Sequence, residues 1–282
     1  TMGVVGESGC GKSTLGRCLV HLLDSTDGEI FYEGKDITHL EGAALKSSRK
    51  DMQMIFQDPF SSLNPRMTVK DIIMEPMIIH KMYEGDNGQR EEKVLQIMKT
   101  VGLAERQAEA YPHELDGGRR QRIGIARALA LDPDFIVCDE PVSALDVSIQ
   151  AQILNLMQDL QQSKNLTYLF ITHDLSVVRH ISDEICVMYL GTLVEKCPAK
   201  ALFLEQFHPY TEALLSAIPV AKLGAKKQRI LLNGEITSPI NPQPGCRFAP
   251  RCPKAMAKCS NQEPELVEIK PDHFVACHLY DD

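Results

Sequence analysis

Gly6-Glu7-Ser8-Gly9-Cys10-Gly11-Lys12-Ser13-Thr14 sets a lysine and two hydroxyls behind three glycines. That spelling suits a polyphosphate. Glycines let the backbone curl with its N–H groups turned inward as a nest of donors. A helix starting near Lys12 adds the positive end of its dipole. Lys12 can reach β- and γ-phosphates, and the Ser13 hydroxyl can ligate Mg²⁺. The flanks agree: Met2-Gly3-Val4-Val5 reads as a short apolar strand and residues 15–23 as a helix.

Further along, polar groups stand at the ends of apolar runs. Phe135-Ile136-Val137-Cys138 leads into Asp139-Glu140-Pro141. A carboxylate there projects from the C-terminal end of a sheet, where ligands bind in open α/β folds. Asp139 can hold the Mg²⁺ hydration shell, and Glu140 can polarise an attacking water. His173 follows the apolar run of residues 167–171, and its imidazole can contact a γ-phosphate. Gln57 ends the run Met52-Gln53-Met54-Ile55-Phe56, where its amide can touch both Mg²⁺ and the nucleophilic water. Taken alone, an acidic turn, a strand-end histidine or a single glutamine is more often structural. The phosphate loop upstream gives them their meaning. His21, His80 and His208 carry no role in this reading.

The elements that must position these groups alternate in type. Residues 28–32 read as a strand, 68–77 as a helix capped by Thr68, and 89–101 and 149–160 as helices. Residues 185–189 and 192–195 read as a hairpin turned at Leu190-Gly191. Strand–helix alternation argues for an α/β fold with a largely parallel sheet. Residues of about 58–128 look mainly helical. From residue 198 the character changes: prolines from Pro209 to Pro271 punctuate a region that also holds Cys246, Cys252, Cys259 and Cys277. The division read from this is a core of 1–197, with its helical part at about 58–128, and an extension of 198–282.

Bulk properties narrow the class. The chain has 282 residues, 44% of them hydrophobic, and a formal net charge of −8 with no basic stripe. Nucleic acid is therefore not an expected partner. No apolar run approaches the ~20 residues of a membrane span. The expectation is a soluble protein, or one peripheral to a membrane complex. Nine cysteines in a reducing compartment point to ligands or buried thiols rather than disulfides. Only five residues precede Gly6, so the chain is expected to be truncated at its N-terminus, without the group that holds the adenine base.

The order of motifs resembles an ABC-transporter ATPase subunit. It runs from the phosphate loop through Gln57, Leu115-Asp116-Gly117-Gly118-Arg119, Phe135 to Glu140, and Ser143-Ala144-Leu145-Asp146 to His173. Within that family the chain is most similar to the ATP-binding subunits of bacterial oligopeptide and dipeptide importers. Residues 56–66, 143–150, His208-Pro209-Tyr210-Thr211 and Phe248-Ala249-Pro250-Arg251-Cys252-Pro253 carry this closer likeness.

The resemblance implies a P-loop ABC-type core with a helical subdomain and a small Cys-containing extension. It implies that residues Gly6 to Thr14 bind the phosphates of ATP, with Mg²⁺ held by Ser13, Gln57 and Asp139. Glu140 would be the general base, His173 the switch histidine, and Asp146 a dimer-interface residue. ATP sandwiched between this chain and a second ATPase subunit, the same or homologous, would close the pair. Two transmembrane permease subunits and an extracytoplasmic peptide-binding protein complete the implied assembly, at the cytoplasmic face of the inner membrane. Nickel and glutathione importers share this build. A chromosome or DNA-repair ATPase would insert long coiled coils where only about 127 residues separate Lys12 from Asp139. A GTPase would need an Asn/Thr-Lys-x-Asp motif, which the sequence lacks.

One motif departs from the family, which has Leu-Ser-Gly-Gly-Gln where this chain has Leu115-Asp116-Gly117-Gly118-Arg119. In the family this loop faces the γ-phosphate held by the opposite subunit. Asp116 suits a helix N-cap, but a carboxylate facing a phosphate repels it. Arg119, three residues on, partly neutralises Asp116. The expectation is a competent site in this chain and a weakened one on its partner, with a regulatory subunit as the alternative.

The cysteines of the extension are spaced by five, six and seventeen residues. Four thiolates can hold Zn²⁺ or an iron–sulfur cluster, or stay unligated. Zinc prefers close C-x2-C pairs, which are absent here. Related importer subunits carry a 4Fe–4S cluster in this extension, and Cys252-Pro253 suits one.

Overall fold

A computed structural model describes residues 1–218, 229–232, 234 and 240–281. Pro219 and Pro239, in the C-terminal proline run, lie outside the described residues. The described residues form strands β1 (Met2–Val5), β2 (Phe31–Tyr32), β3 (Lys35–Asp36), β4 (Met52–Ile55) and β5 (Phe135–Asp139). There follow β6 (Thr167–Ile171), β7 (Glu184–Tyr189), β8 (Thr192–Pro198), β9 (Leu266–Lys270) and β10 (His273–Ala276). Two compact units result: one of Thr14–Leu169, the other of Thr1–Ser13 with Phe170–Asp282.

In the unit Thr14–Leu169, β4 and β5 pair in parallel, with Met52 opposite Phe135 and Ile55 opposite Cys138. Met54, Ile55, Ile136 and Val137 are all buried. The unbroken apolar run of β5, Phe135 to Cys138, marks a strand covered on both faces, and β4 beside it is interrupted only by half-buried Gln53. Helices Val69–Ile79, Asn87–Thr100 and Gly117–Leu129 pack on one another and bury Ile73, Met77, Val94, Met98 and Ile123. Each begins on a side-chain cap. Thr68 and Asp71 form a reciprocal capping box, and Asp86 accepts from Gln89 N at 3.0 Å. Asp116 accepts from Arg119 N at 2.8 Å. Caps of this type contribute about 1 kcal/mol each by satisfying otherwise orphaned N–H groups.

Two expected elements are shorter than their sequence pattern. The helix after the phosphate loop is Lys12–Leu19, because the chain closes at a left-handed His21 (φ 54°). Leu22 N then bonds back to Arg17 O at 2.8 Å. The strand expected over 28–32 is reduced to β2. It pairs with β3 across Glu33 and Gly34, both at positive φ (49° and 74°), the backbone a tight hairpin requires.

In the other unit, β1 pairs in parallel with β7, placing Val4 opposite Cys186. β7 and β8 form the expected hairpin, turned by Leu190 and Gly191 at φ 43° and 81°. β10 adds antiparallel to β8, and β9 to β10, so the strands of this unit are mixed in direction. Glu195 on β8 explains why β10 docks there. Its side chain is fully buried and accepts from Phe207 N at 3.0 Å and His208 N at 3.1 Å. His273 Nε2 of β10 lies 2.7 Å from Glu195 Oε1. A carboxylate out of water is costly unless so surrounded, which ties the extension's hairpin to β8.

Candidate functional site

The phosphate loop leaves β1 directly from buried Val4 and Val5. Gly6 takes φ 155°, and a Cβ there would stand 2.2 Å from Met188 O, so no other residue fits without moving β7. Lys12 is almost wholly buried, and its Nζ donates to Gly6 O at 2.9 Å and Glu7 O at 3.0 Å. The ammonium is thus held beneath the loop by backbone carbonyls. Burial raises the Cys10 thiol against the opposing pull of Lys12, which keeps it protonated and unreactive. Gly191 N, in the β7–β8 turn, donates to Cys10 O at 2.8 Å.

The loop also rests on the C-terminal extension. Glu7 N donates to the Tyr210 hydroxyl at 2.8 Å. The Glu7 carboxylate takes a two-pronged contact from Arg251, Nη1 to Oε2 at 2.6 Å and Nη2 to Oε1 at 3.1 Å. Tyr210 packs edge-on to Tyr189, ring centres 4.7 Å apart, and both rings meet Phe248. Tyr210 N donates to His208 Nδ1 at 3.1 Å. Burial holds the His208 imidazole down to about 4, in its neutral form. The sequence signal for these groups was present in His208-Pro209-Tyr210-Thr211 and Phe248 to Pro253, but nothing local says what they touch.

His173 is exposed just after β6. Thr172 N bonds to Val4 O at 3.1 Å, and Asp174 caps helix Leu175–Ile181 through Ser176 N at 2.8 Å. The histidine is therefore fixed between a strand end and a helix start.

Asp139, Glu140 and Gln57 belong to the unit Thr14–Leu169. Asp139 ends β5 and is buried. Glu140 follows at φ 46°, a left-handed backbone that costs a non-glycine residue about 1–2 kcal/mol. Gln57 Nε2 donates to Glu140 Oε2 at 3.1 Å. The structure thus brings together two of the residues singled out for water activation, from strand ends 83 positions apart. Gln57 and Asp139 also border a cavity of about 580 Å³ shared with Arg49 and Arg127.

Asp116 heads helix Gly117–Leu129 as its N-cap. Its Oδ2 lies 3.4 Å from Arg119 Nη1, with both side chains more than half exposed. A Cβ at Gly118 would come within 2.7 Å of Ile149 Cγ2, which is why this helix starts on small residues. Asp146 caps helix Val147–Lys164 through Ile149 N at 3.1 Å. Asp116 to Arg119 and Asp146 therefore lie at neighbouring helix starts.

Cys246, Cys252, Cys259 and Cys277 are all free thiols. Cys246 N donates to Cys259 O at 2.8 Å, and Lys254 N and Met256 N point at the sulfurs of Cys252 and Cys259 at 3.4 Å. Burial pushes the Cys277 thiol up to about 11, and the other three thiols push it the same way. Among the described residues, no group of three or more His, Cys, Asp or Glu is arranged to hold a metal ion. Nor is any helix among the described residues long and apolar enough to cross a membrane.

An α/β fold with a buried loop lysine and a carboxylate pair at a strand end defines a P-loop ATPase. The chain belongs to the ABC-transporter family: residues 1–143 match the family model described as "ABC transporter". Residues 194–259 match "Oligopeptide/dipeptide transporter, C-terminal region". The chain is 56% identical to "Oligopeptide transport ATP-binding protein AppF" of Bacillus subtilis (strain 168), over 99% of this chain and 85% of that protein. It is 50% identical to "Dipeptide transport ATP-binding protein DppF" of Haemophilus influenzae, over 100% of this chain and 85% of that protein. Among solved structures it resembles the dimeric post-hydrolysis state of the ATP-binding cassette MJ0796 bound to ADP and Pi. That match has a TM-score of 0.64 and 29% identity, covering 73% of this chain and 86% of that one.

Proposed function

We propose that this chain is the ATP-hydrolysing subunit of a bacterial importer of oligopeptides or dipeptides, working as one half of an ATP-sandwich dimer. What carries the reading is one chain that joins an ABC region to a peptide-transporter C-terminal region. The transport functions named for its relatives point the same way. Partners are a second ATPase subunit, two permease subunits and an extracytoplasmic peptide-binding protein, with the chain peripheral at the cytoplasmic face. In this reading residues 1–197 are the ATPase domain, about 58–128 the helical subdomain that meets the permeases, and 198–282 the extension.

The residues divide the work. The N–H groups of Gly6 to Thr14, apart from that of Glu7, which Tyr210 takes, and the Lys12 ammonium bind phosphate, and release of Lys12 from Gly6 O and Glu7 O frees its charge for the ligand. Ser13, Gln57 and Asp139 offer the hard oxygen donors that Mg²⁺ takes. When bound, the ion neutralises charge on the phosphates. Glu140 accepts the proton of the attacking water, Gln57 orients Glu140, and His173 contacts the transferred phosphoryl group. Asp116 to Arg119 face the nucleotide of the partner.

The test is ATP turnover by the reconstituted transporter with its binding protein empty or peptide-loaded. Stimulation by the loaded protein is expected. Stimulation only by a metal- or glutathione-loaded protein would move the substrate to that class and overturn the peptide assignment.

The four free thiols of the extension are the ligands a 4Fe–4S cluster would take once deprotonated and drawn together, and backbone N–H groups already aim at two of the sulfurs, as cluster sulfurs favour. Protein prepared without oxygen is expected to carry iron and acid-labile sulfide in equal amounts, lost together in Cys252→Ser. Absence of both from such a preparation would reject the cluster.

A further inference from the structure

Two residues of the extension reach the phosphate loop, and the role given to that loop does not account for them. Glu7 is the second residue of the loop, and its acidic side chain stands beside a site for polyphosphate. An unpaired carboxylate there would repel the ligand. Arg251 meets it with both prongs of its guanidinium, at 2.6 and 3.1 Å. Only 9% of the Arg251 side chain and 24% of the Glu7 side chain are exposed. A planar fork on a carboxylate fixes orientation as well as charge. Arg251 Nη1 also lies 3.4 Å from the Tyr189 hydroxyl, so the guanidinium is held on a second side. Tyr210 takes the Glu7 backbone N–H, which turns that one donor away from the nest and fixes the loop's entry.

We propose that Arg251 is a positioning residue for the ATP site: it neutralises Glu7 and, with Tyr210, fixes the first turn of the phosphate loop. The C-terminal extension is thereby part of the support of the nucleotide site. The inference rests on the reading of Gly6 to Thr14 as the ATP-binding loop. Neutralising Glu7 matters most for ground-state affinity, because the carboxylate repels bound nucleotide before and during the chemical step alike. Uniform effects of that kind raise KM and spare kcat.

The experiment is steady-state ATP turnover by the assembled transporter. Arg251→Gln is expected to raise KM for ATP about tenfold, the scale of one lost charge-assisted pair, with kcat within about twofold. Arg251→Lys, which keeps the charge and loses the fork, is expected to raise KM only about threefold. In a Glu7→Gln background there is no carboxylate to neutralise, and Arg251→Gln should then add less than about twofold. Should Arg251→Gln fail to assemble, the Arg251→Lys variant and the Glu7→Gln background still decide the matter. Parental KM in both Arg251 variants would overturn the proposal. So would an equal effect of Arg251→Gln with and without the Glu7 carboxylate. Lys12→Ala, with ATP binding measured directly at equilibrium, separates the two readings: if it leaves ATP binding intact, the loop assignment itself falls. If it abolishes binding while Arg251→Gln changes nothing, only the positioning role falls.

Discussion

Replacing Glu140 by Gln is expected to lower ATP turnover by about 10²–10⁴-fold, the range a general base contributes, while ATP binding stays near that of the parent. Glutamine has the same shape as glutamate and tolerates the same left-handed backbone, so φ 46° at this position need not change. Its amide oxygen can still accept from Gln57 Nε2, as Oε2 does at 3.1 Å. What is lost is the ability to take a proton from water. Gln57→Ala removes the orienting contact and leaves the base, so it should cost less, about tenfold. The measurement is turnover together with ATP affinity for both variants in the assembled transporter. Glu140→Gln within threefold of the parent would mean that another group accepts the proton.

Much of this arrangement was legible in the sequence, because the chemistry sits where regular elements end. The phosphate loop, Asp139, Glu140 and Gln57 each follow a short apolar run, and each run is a strand. The Leu190-Gly191 turn and the Thr68 cap were equally local signals. What escaped depends on long-range contacts. Glu7 and Arg251 are 244 residues apart, and neither segment's composition hints at the other. β9 and β10 lie in a proline-punctuated stretch. β9 buries alternate positions only in part, a weak period-two signal. The partners of Glu195 come from residues 207, 208 and 273, a convergence that no spacing rule encodes. The first helix stopped short of its apolar pattern because His21 took a left-handed backbone, which a histidine only occasionally adopts.

Asp116→Ser is expected to raise ATP turnover of the assembled transporter by about 10–100-fold, provided the site capped by this chain limits the rate. The effect follows from charge. Two unit charges about 4 Å apart interact by about 4 kcal/mol at an effective dielectric of about 20. The Asp116 carboxylate facing a γ-phosphate would feel a good part of that. Arg119 does not cancel it: the pair is 3.4 Å apart and more than half exposed on both sides, a setting in which ion pairs are worth little. Nor does the fold need the acid. Asp116 serves its helix by accepting from Arg119 N at 2.8 Å, and a serine hydroxyl caps about as well, so thermal stability should barely move. Arg119→Gln gives the contrasting arm. It leaves the carboxylate and removes its weak counter-charge, and it should lower turnover by about twofold or less. A transporter in which Asp116→Ser turns over ATP at the parental rate would show that repulsion at this loop does not limit the cycle. The departure at this loop would then have no bearing on hydrolysis.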